Sequence, residues 1–187
     1  ISFSGDVGRY NDAILRSPET FPQADYILLE STYGNKLHTD VSGSMDTLLG
    51  WIQKTCIEKK GKLIIPAFSV GRTQELLFMM NQMELDNRLP AVPVYVDSPL
   101  SREATDVVKA YPQYLNQQIR KIMESDHDPF DFNGVQFIKP VDESKRLNDQ
   151  PPPCVIISAS GRSDAARVKH HPRNTTRNTN HATPEGG

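Results

Sequence analysis

The stretch Lys62–Met83, KLIIPAFSVGRTQELLFMMNQM, decides how the rest of the chain is read. Its opening, KLIIPAF, is a continuous apolar run rather than an alternating one, the pattern of a strand covered on both faces. Ser-Val-Gly-Arg follows as a turn, and from Gly71 the apolar positions recur at every third or fourth residue, as on a helix. A strand that runs into a helix through a short polar turn is the building block of a parallel sheet.

The same alternation extends in both directions. YILLE (Tyr26–Glu30), VPVYVD (Val92–Asp97), VQFIKPV (Val135–Val141) and CVIISAS (Cys154–Ser160) read as further strands. MDTLLGWIQKTCIEKK (Met45–Lys60), REATDVVKAYPQYL (Arg102–Leu115) and SDAARVKHH (Ser163–His171) read as helices. The expected fold class is α/β, with a mainly parallel, doubly wound sheet. Two segments break the rhythm. Asn116–Gly134 extends a helix and then turns at Asp128-Pro129, an excursion over the sheet edge. Asn148–Cys154, NDQPPPC, is a stiff connector into the last strand.

Bulk properties narrow the function classes. At 187 residues the chain suits one domain with a real core. Its net charge is -2, so it is no polycation, and a nucleic-acid role would need a local basic site. The two cysteines, Cys56 and Cys154, have no metal-knot spacing and read as reduced core thiols of a cytoplasmic protein. No apolar run approaches the roughly 20 residues that span a bilayer, so no membrane role is expected.

In open parallel sheets ligands bind beyond the carboxyl ends of the strands. There this chain places Glu30-Ser31-Thr32, Ser69-Val70-Gly71-Arg72, Asp97-Ser98-Pro99 and Gly161-Arg162-Ser163. Small residues, hydroxyls and helix-start arginines together favour an anion, because free N–H groups and the helix dipole meet there. A phosphate-lined cleft is one reading; Ser69, Ser98 and Ser163 as plain helix N-caps is the other. Neither GxGxxG nor GxxxxGK[ST] occurs, which removes the usual dinucleotide and P-loop sites. Asp6, between Gly5 and Gly8 in SGDVGR, reads locally as a turn residue. Glu30 closes an apolar strand, where a carboxylate pairs, caps or does chemistry.

In order and spacing, FSGDVGR, ADYILLESTYGN, LIIPAFSVGRTQELL, VYVDSPLSREAT and CVIISASG with RVKHH resemble the β-CASP branch of the metallo-β-lactamase fold. That branch comprises RNA-processing nucleases related to ribonuclease J and the polyadenylation-site endonuclease subunit. The resemblance implies two zinc ions in the intact enzyme, with Asp6 as a bridging ligand whose two oxygens each reach one cation at about 2.0 to 2.2 Å. It implies that Glu30 orients or protonates groups at that site, which makes Asp6 and Glu30 the catalytic candidates. Ser69, Arg72, Ser98, Ser160, Gly161 and His170 become the expected RNA phosphate contacts. His38 matches a family position without an assigned mechanism, and the His170-His171 doublet is assigned to packing or phosphate proximity rather than to metal.

The chain departs from the family where the metal cluster HxHxDH and the later histidine signatures would lie; His181 has neither context. Arg162 and the Ala165-Ala166 pair replace the family's methionine and glycines. The resemblance therefore implies an internal fragment: residues 1–24 as a remnant of the metallo-β-lactamase domain, 25–171 as the β-CASP domain, and 172–187 as a disordered, aberrant tail. The first strand would lack sheet partners, and the chain alone would be inactive and retain no zinc. RNA is the expected partner, with a homodimer expected of the intact parent. A non-catalytic RNA- or nucleotide-binding module, or a non-functional gene fragment, stands as the alternative. Endonuclease or exonuclease action is left open by these motifs.

Overall fold

The computed structural model describes residues 1–32, 34–35, 43–126, 128–139 and 141–159. Strand β1 (Ser2–Phe3) and β2 (Ile27–Leu28) are followed by α1 (Ser44–Ile52), which runs on as a π-helix over Gln53–Glu58. Then come β3 (Lys62–Ala67), α2 (Arg72–Leu85), β4 (Val94–Asp97), α3 (Pro99–Ala110) and α4 (Gln117–Ser125). The described part closes with β5 (Val135–Phe137), α5 (Val141–Arg146) and β6 (Cys154–Ala159).

Strands β3, β6, β4 and β5 form one sheet in that order, every pairing parallel. The chain moves one way from β3 to β4 to β5, then reverses through α5 to insert β6 between β3 and β4. Right-handed crossovers put helices from opposite directions of travel on opposite faces. Accordingly Leu63, Ile65, Val94, Val96, Val155 and Ile157 join a large core with residues of α1, α2 and α4. Their sequence neighbours Ile64, Tyr95 and Ile156 instead pack with Leu147, just beyond α5. Both faces are covered, which is why these strands are apolar at successive rather than alternate positions.

Three details depart from the sequence pattern. From sequence, Tyr26–Glu30 belongs to the parallel sheet; in the structure Ile27 and Leu28 pair with Ser2 and Phe3 in a separate two-stranded sheet. β1 is thus not left without a partner, and the pairing crosses the expected boundary at 24/25. An apolar run signals burial without naming its neighbour, and β1–β2 leaves Phe3, Tyr26, Ile27, Leu28 and Leu29 exposed. Second, the expected strand Val135–Val141 ends at Phe137, and α5 starts at Val141. A six-residue helix with acids in its first turn and bases in its last follows its dipole and has too few turns to display an apolar period. Third, Pro112 ends α3 and opens a 3-10 turn over Pro112–Tyr114, because proline cannot continue the helical ladder.

Residues N-terminal to β2 also pack on the main core. Ile14 is buried in it, Asn116 donates its backbone N–H to the Ile14 carbonyl at 2.8 Å, and Arg16 donates to the Tyr114 carbonyl at 2.9 Å. Asp12 Oδ1 accepts the backbone N–H groups of Ile14 and Leu15 at 2.9 and 2.8 Å and so shapes the bend.

Candidate functional site

The carboxyl ends of β3 and β4 converge. Ser69 Oγ and Ser98 Oγ lie 3.0 Å apart, although 29 residues separate them. Ser98 is the N-cap of α3: its hydroxyl accepts the Ser101 N–H at 3.1 Å, and Pro99 occupies the first turn. The two readings left open from sequence therefore divide. Ser98 caps a helix; Ser69 does not, because the cap of α2 is Gly71, with φ of 82°. That positive φ favours glycine over any residue with a Cβ.

Gln74 binds these exits together. Its Oε1 accepts the Gly71 N–H at 2.7 Å, and its Nε2 reaches the Ser69 carbonyl, the Ser101 carbonyl and Thr105 Oγ1 at 3.1, 3.2 and 3.0 Å. Only 1% of Gln74 is exposed, so these are desolvated contacts. Thr73 adds a bond from its hydroxyl to the Phe68 carbonyl at 2.7 Å. Beneath the rim on the α5 side, buried Asp97 accepts the Ser144 hydroxyl at 2.7 Å, and the buried Ser158 Oγ has no hydrogen-bond partner among the described residues.

Arg72, the first residue of α2, is half-exposed and donates to Glu75 Oε2 at 3.1 Å. Arg9 donates to the other oxygen, Glu75 Oε1. One carboxylate thus holds two guanidinium groups, each with further N–H donors to spare.

The second candidate cluster lies where β1 and β2 end. Ser4 Oγ accepts the Glu30 N–H at 2.9 Å. Glu30 Oε1 accepts the Val7 N–H at 2.9 Å, and Oε2 accepts the Thr32 hydroxyl at 3.0 Å. The Val7 bond foremost, then Thr32, holds the Glu30 carboxyl below its ordinary value. Both bonds favour the charged form, in which the carboxylate accepts hydrogen bonds at the Asp6 loop and carries no proton to donate. Asp6 itself, next to Val7, is exposed.

The structure thus brings Ser69, Ser98 and Arg72 to one rim, and Asp6 and Glu30 to one loop pair. Ser160, Gly161 and His170 lie outside the described residues, as do His38, His171, His181 and residues 172–187. Among the described residues no three histidine, cysteine, aspartate or glutamate side chains are grouped to hold a metal ion. Zinc takes three or four ligands, so the described part of the chain supplies one candidate donor, Asp6, and does not by itself fit a metal centre. Arg9, Gln74 and Glu75 escaped the sequence reading. Gln74 stands three residues after the capping Gly71, a spacing that signals a helix start; Glu75 meets Arg9 across 66 residues, and nothing local announces it.

Residues 73–182, more than half of the chain, match the Beta-Casp domain. The chain belongs to the Beta-Casp family. Its match begins at Thr73, within the first turn of α2, and so takes in Gln74, Glu75, Ser98 and Asp97. This Beta-Casp chain is 31% identical over 169 residues to "Ribonuclease TTHA0252" of Thermus thermophilus, covering 90% of this chain and 38% of that protein. It is 36% identical over 166 residues to "RNase J-like protein" of Methanocaldococcus jannaschii, covering 86% of this chain and 37% of that protein. With "Endoribonuclease YSH1" of Kluyveromyces lactis it shares 30% over 169 residues, 86% of this chain and 21% of that protein. The chain spans less than two fifths of the length of these curated relatives. Among the described residues no helix is long and apolar enough to cross a membrane.

Proposed function

We propose that this Beta-Casp chain supplies an RNA-gripping part of a metal-dependent ribonuclease that hydrolyses RNA phosphodiesters. The observation that carries the reading is the meeting of Ser69 and Ser98, beside Arg72, at the carboxyl ends of two parallel strands. Hydroxyls and a cation at helix starts are suited to a phosphate backbone, which carries one charge per nucleotide. The chain's residues would bind and orient the strand: Ser69 and Ser98 donate hydroxyls, Arg72 offers its unused N–H groups, and Gln74 keeps the two exits at fixed separation. Ser160, Gly161 and His170 are proposed to complete the same contacts from the β6 exit.

Zinc is the metal proposed for the whole enzyme, where it would supply a Lewis acid and an activated water. Asp6 is the ligand proposed from this chain, with Glu30 orienting its loop. The ligands that would complete the centre are not among the described residues, and the chain by itself is proposed to be inactive. A cytoplasmic location and a dimeric whole enzyme belong to the same proposal. The names of the relatives, a ribonuclease, an RNase J-like protein and an endoribonuclease, support it.

The test is fluorescence anisotropy of this chain with a 5′-labelled single-stranded RNA at two salt concentrations. Binding that weakens as salt rises, unaffected by chelator, is expected. Absence of binding, or binding indifferent to salt, overturns the phosphate cleft. Cleavage of the same RNA by this chain in chelator overturns the metal-dependent mechanism.

A further inference from the structure

The loop that carries Asp6 and the rim that carries Arg72 belong to different parts of the fold, yet one side chain touches both. Glu75 sits in the first turn of α2, with its side chain 10% exposed. Its Oε1 accepts from Arg9, three residues beyond Asp6, and its Oε2 accepts from Arg72 at 3.1 Å. Arg9 also approaches Asp12 Oδ2 at 3.5 Å, so two cations face two carboxylates. The Gly5–Arg9 loop is therefore pinned at two points: at Val7 by Glu30 across 23 residues, and at Arg9 by Glu75 across 66.

We propose that Glu75 is a positioning residue that couples the Asp6 loop to the β3 exit. By holding Arg9 and Arg72 on its two oxygens, it sets the separation between the candidate metal-ligand loop and the candidate phosphate cleft. It also aims Arg72: with one donor fixed on Glu75, the planar guanidinium presents its remaining N–H groups in a defined direction. The inference rests on the reading of the β3 and β4 exits as a phosphate site, and extends it to how that site is aligned with Asp6.

Electrostatics and positioning predict opposite signs here. If Glu75 merely lowered the local positive charge, its neutralisation would strengthen RNA binding. If it positions the arginines, the same change weakens binding. The experiment compares this chain with Glu75→Gln and Glu75→Asp, using a 5′-fluorescein oligoribonucleotide for affinity and hydrogen exchange for the loop.

The expected result for Glu75→Gln is a roughly tenfold loss of RNA affinity, the scale of one charge-assisted hydrogen bond, with Glu75→Asp intermediate. Exchange at the Val7 amide, which Glu30 Oε1 accepts at 2.9 Å, should quicken while the β3–β6 ladder keeps its protection. Unchanged or tighter RNA binding overturns the aiming of Arg72, and unchanged loop exchange overturns the coupling. Should the unmodified chain bind no RNA, the phosphate reading has failed, and loop exchange alone decides the coupling. If Glu75→Gln loses protection throughout the sheet, Arg9→Met severs only the loop side; it should quicken the Val7 amide, and its failure to do so overturns the proposal.

Discussion

Ser69 and Ser98 touch through their hydroxyls, 3.0 Å apart, at the ends of two strands that β6 separates in the sheet. Each is the first hydroxyl after its strand, and Ser98 also caps α3. Ser98→Ala removes the cap and the cross-strand contact together. It should lower stability by about 1 kcal/mol, the usual cost of an N-cap, read as a shift in urea midpoint at constant slope. Ser69→Ala keeps the cap, so it should leave the midpoint closer to the parent while still weakening RNA binding.

Gln74 tests how far the rim depends on one buried amide. Gln74→Leu leaves the Gly71 N–H and the Ser69 carbonyl without that partner, while the Ser101 carbonyl keeps the Thr105 hydroxyl at 2.7 Å. Each buried polar group left unpaired costs about 1–3 kcal/mol, so this variant should be the most destabilised of the rim substitutions in chemical denaturation. A stability within 0.5 kcal/mol of the parent, roughly the scatter for an uninvolved surface site, would contradict its role as the tie between the two exits.

Glu30 gives an acid-side prediction. Its carboxyl lies below the ordinary value of 4.5 because the Val7 N–H and then the Thr32 hydroxyl bond its charged form. A depressed folded value means that the contribution is present above the unfolded value and is lost as pH falls through the folded one. The Val7 amide should therefore lose protection as pH drops below about 4.5, followed by amide NMR. Glu30→Gln should abolish that pH dependence and leave the amide weakly protected throughout.

The cysteines give an alkaline counterpart. Burial pushes the thiols of Cys56 and Cys154 up from 9.0 to about 11. A raised folded value means that stability is fully present below 9.0 and is lost as pH rises toward 11. Both thiols should resist a disulfide reagent at pH 8 in the folded chain and react promptly in denaturant. A fast-reacting native thiol would show that one of the two is not sealed in the core.

Much of this was legible in the residues. Lys62–Met83 announced β3, its exit and α2, and the apolar runs at Val92–Asp97 and Cys154–Ser160 announced two more strands, found at Val94–Asp97 and Cys154–Ala159. The polar rim followed from those exits, because a strand's carboxyl end in a parallel sheet is where a helix begins. Asp6 and Glu30 were visible as carboxylates in unusual local settings, while their nearness depended on β1 pairing with β2. Tyr26–Glu30 looked like a strand of the main sheet because apolarity is the same signal whichever sheet receives it.

Periodicity and capping within about a dozen residues set the alternation of strand and helix and the chemical character of each exit, while the Beta-Casp motifs were legible as a resemblance in order and spacing. Which exits meet depended on how the strands are ordered in three dimensions. Ser69 with Ser98, Arg9 with Glu75 and Val7 with Glu30 are contacts across 29, 66 and 23 residues. Such contacts follow from strand order and crossover hand, which place segments side by side after each has already satisfied its own local rules. For that reason the fold class could be read along the chain, but the side chain that joins the Asp6 loop to the rim could not.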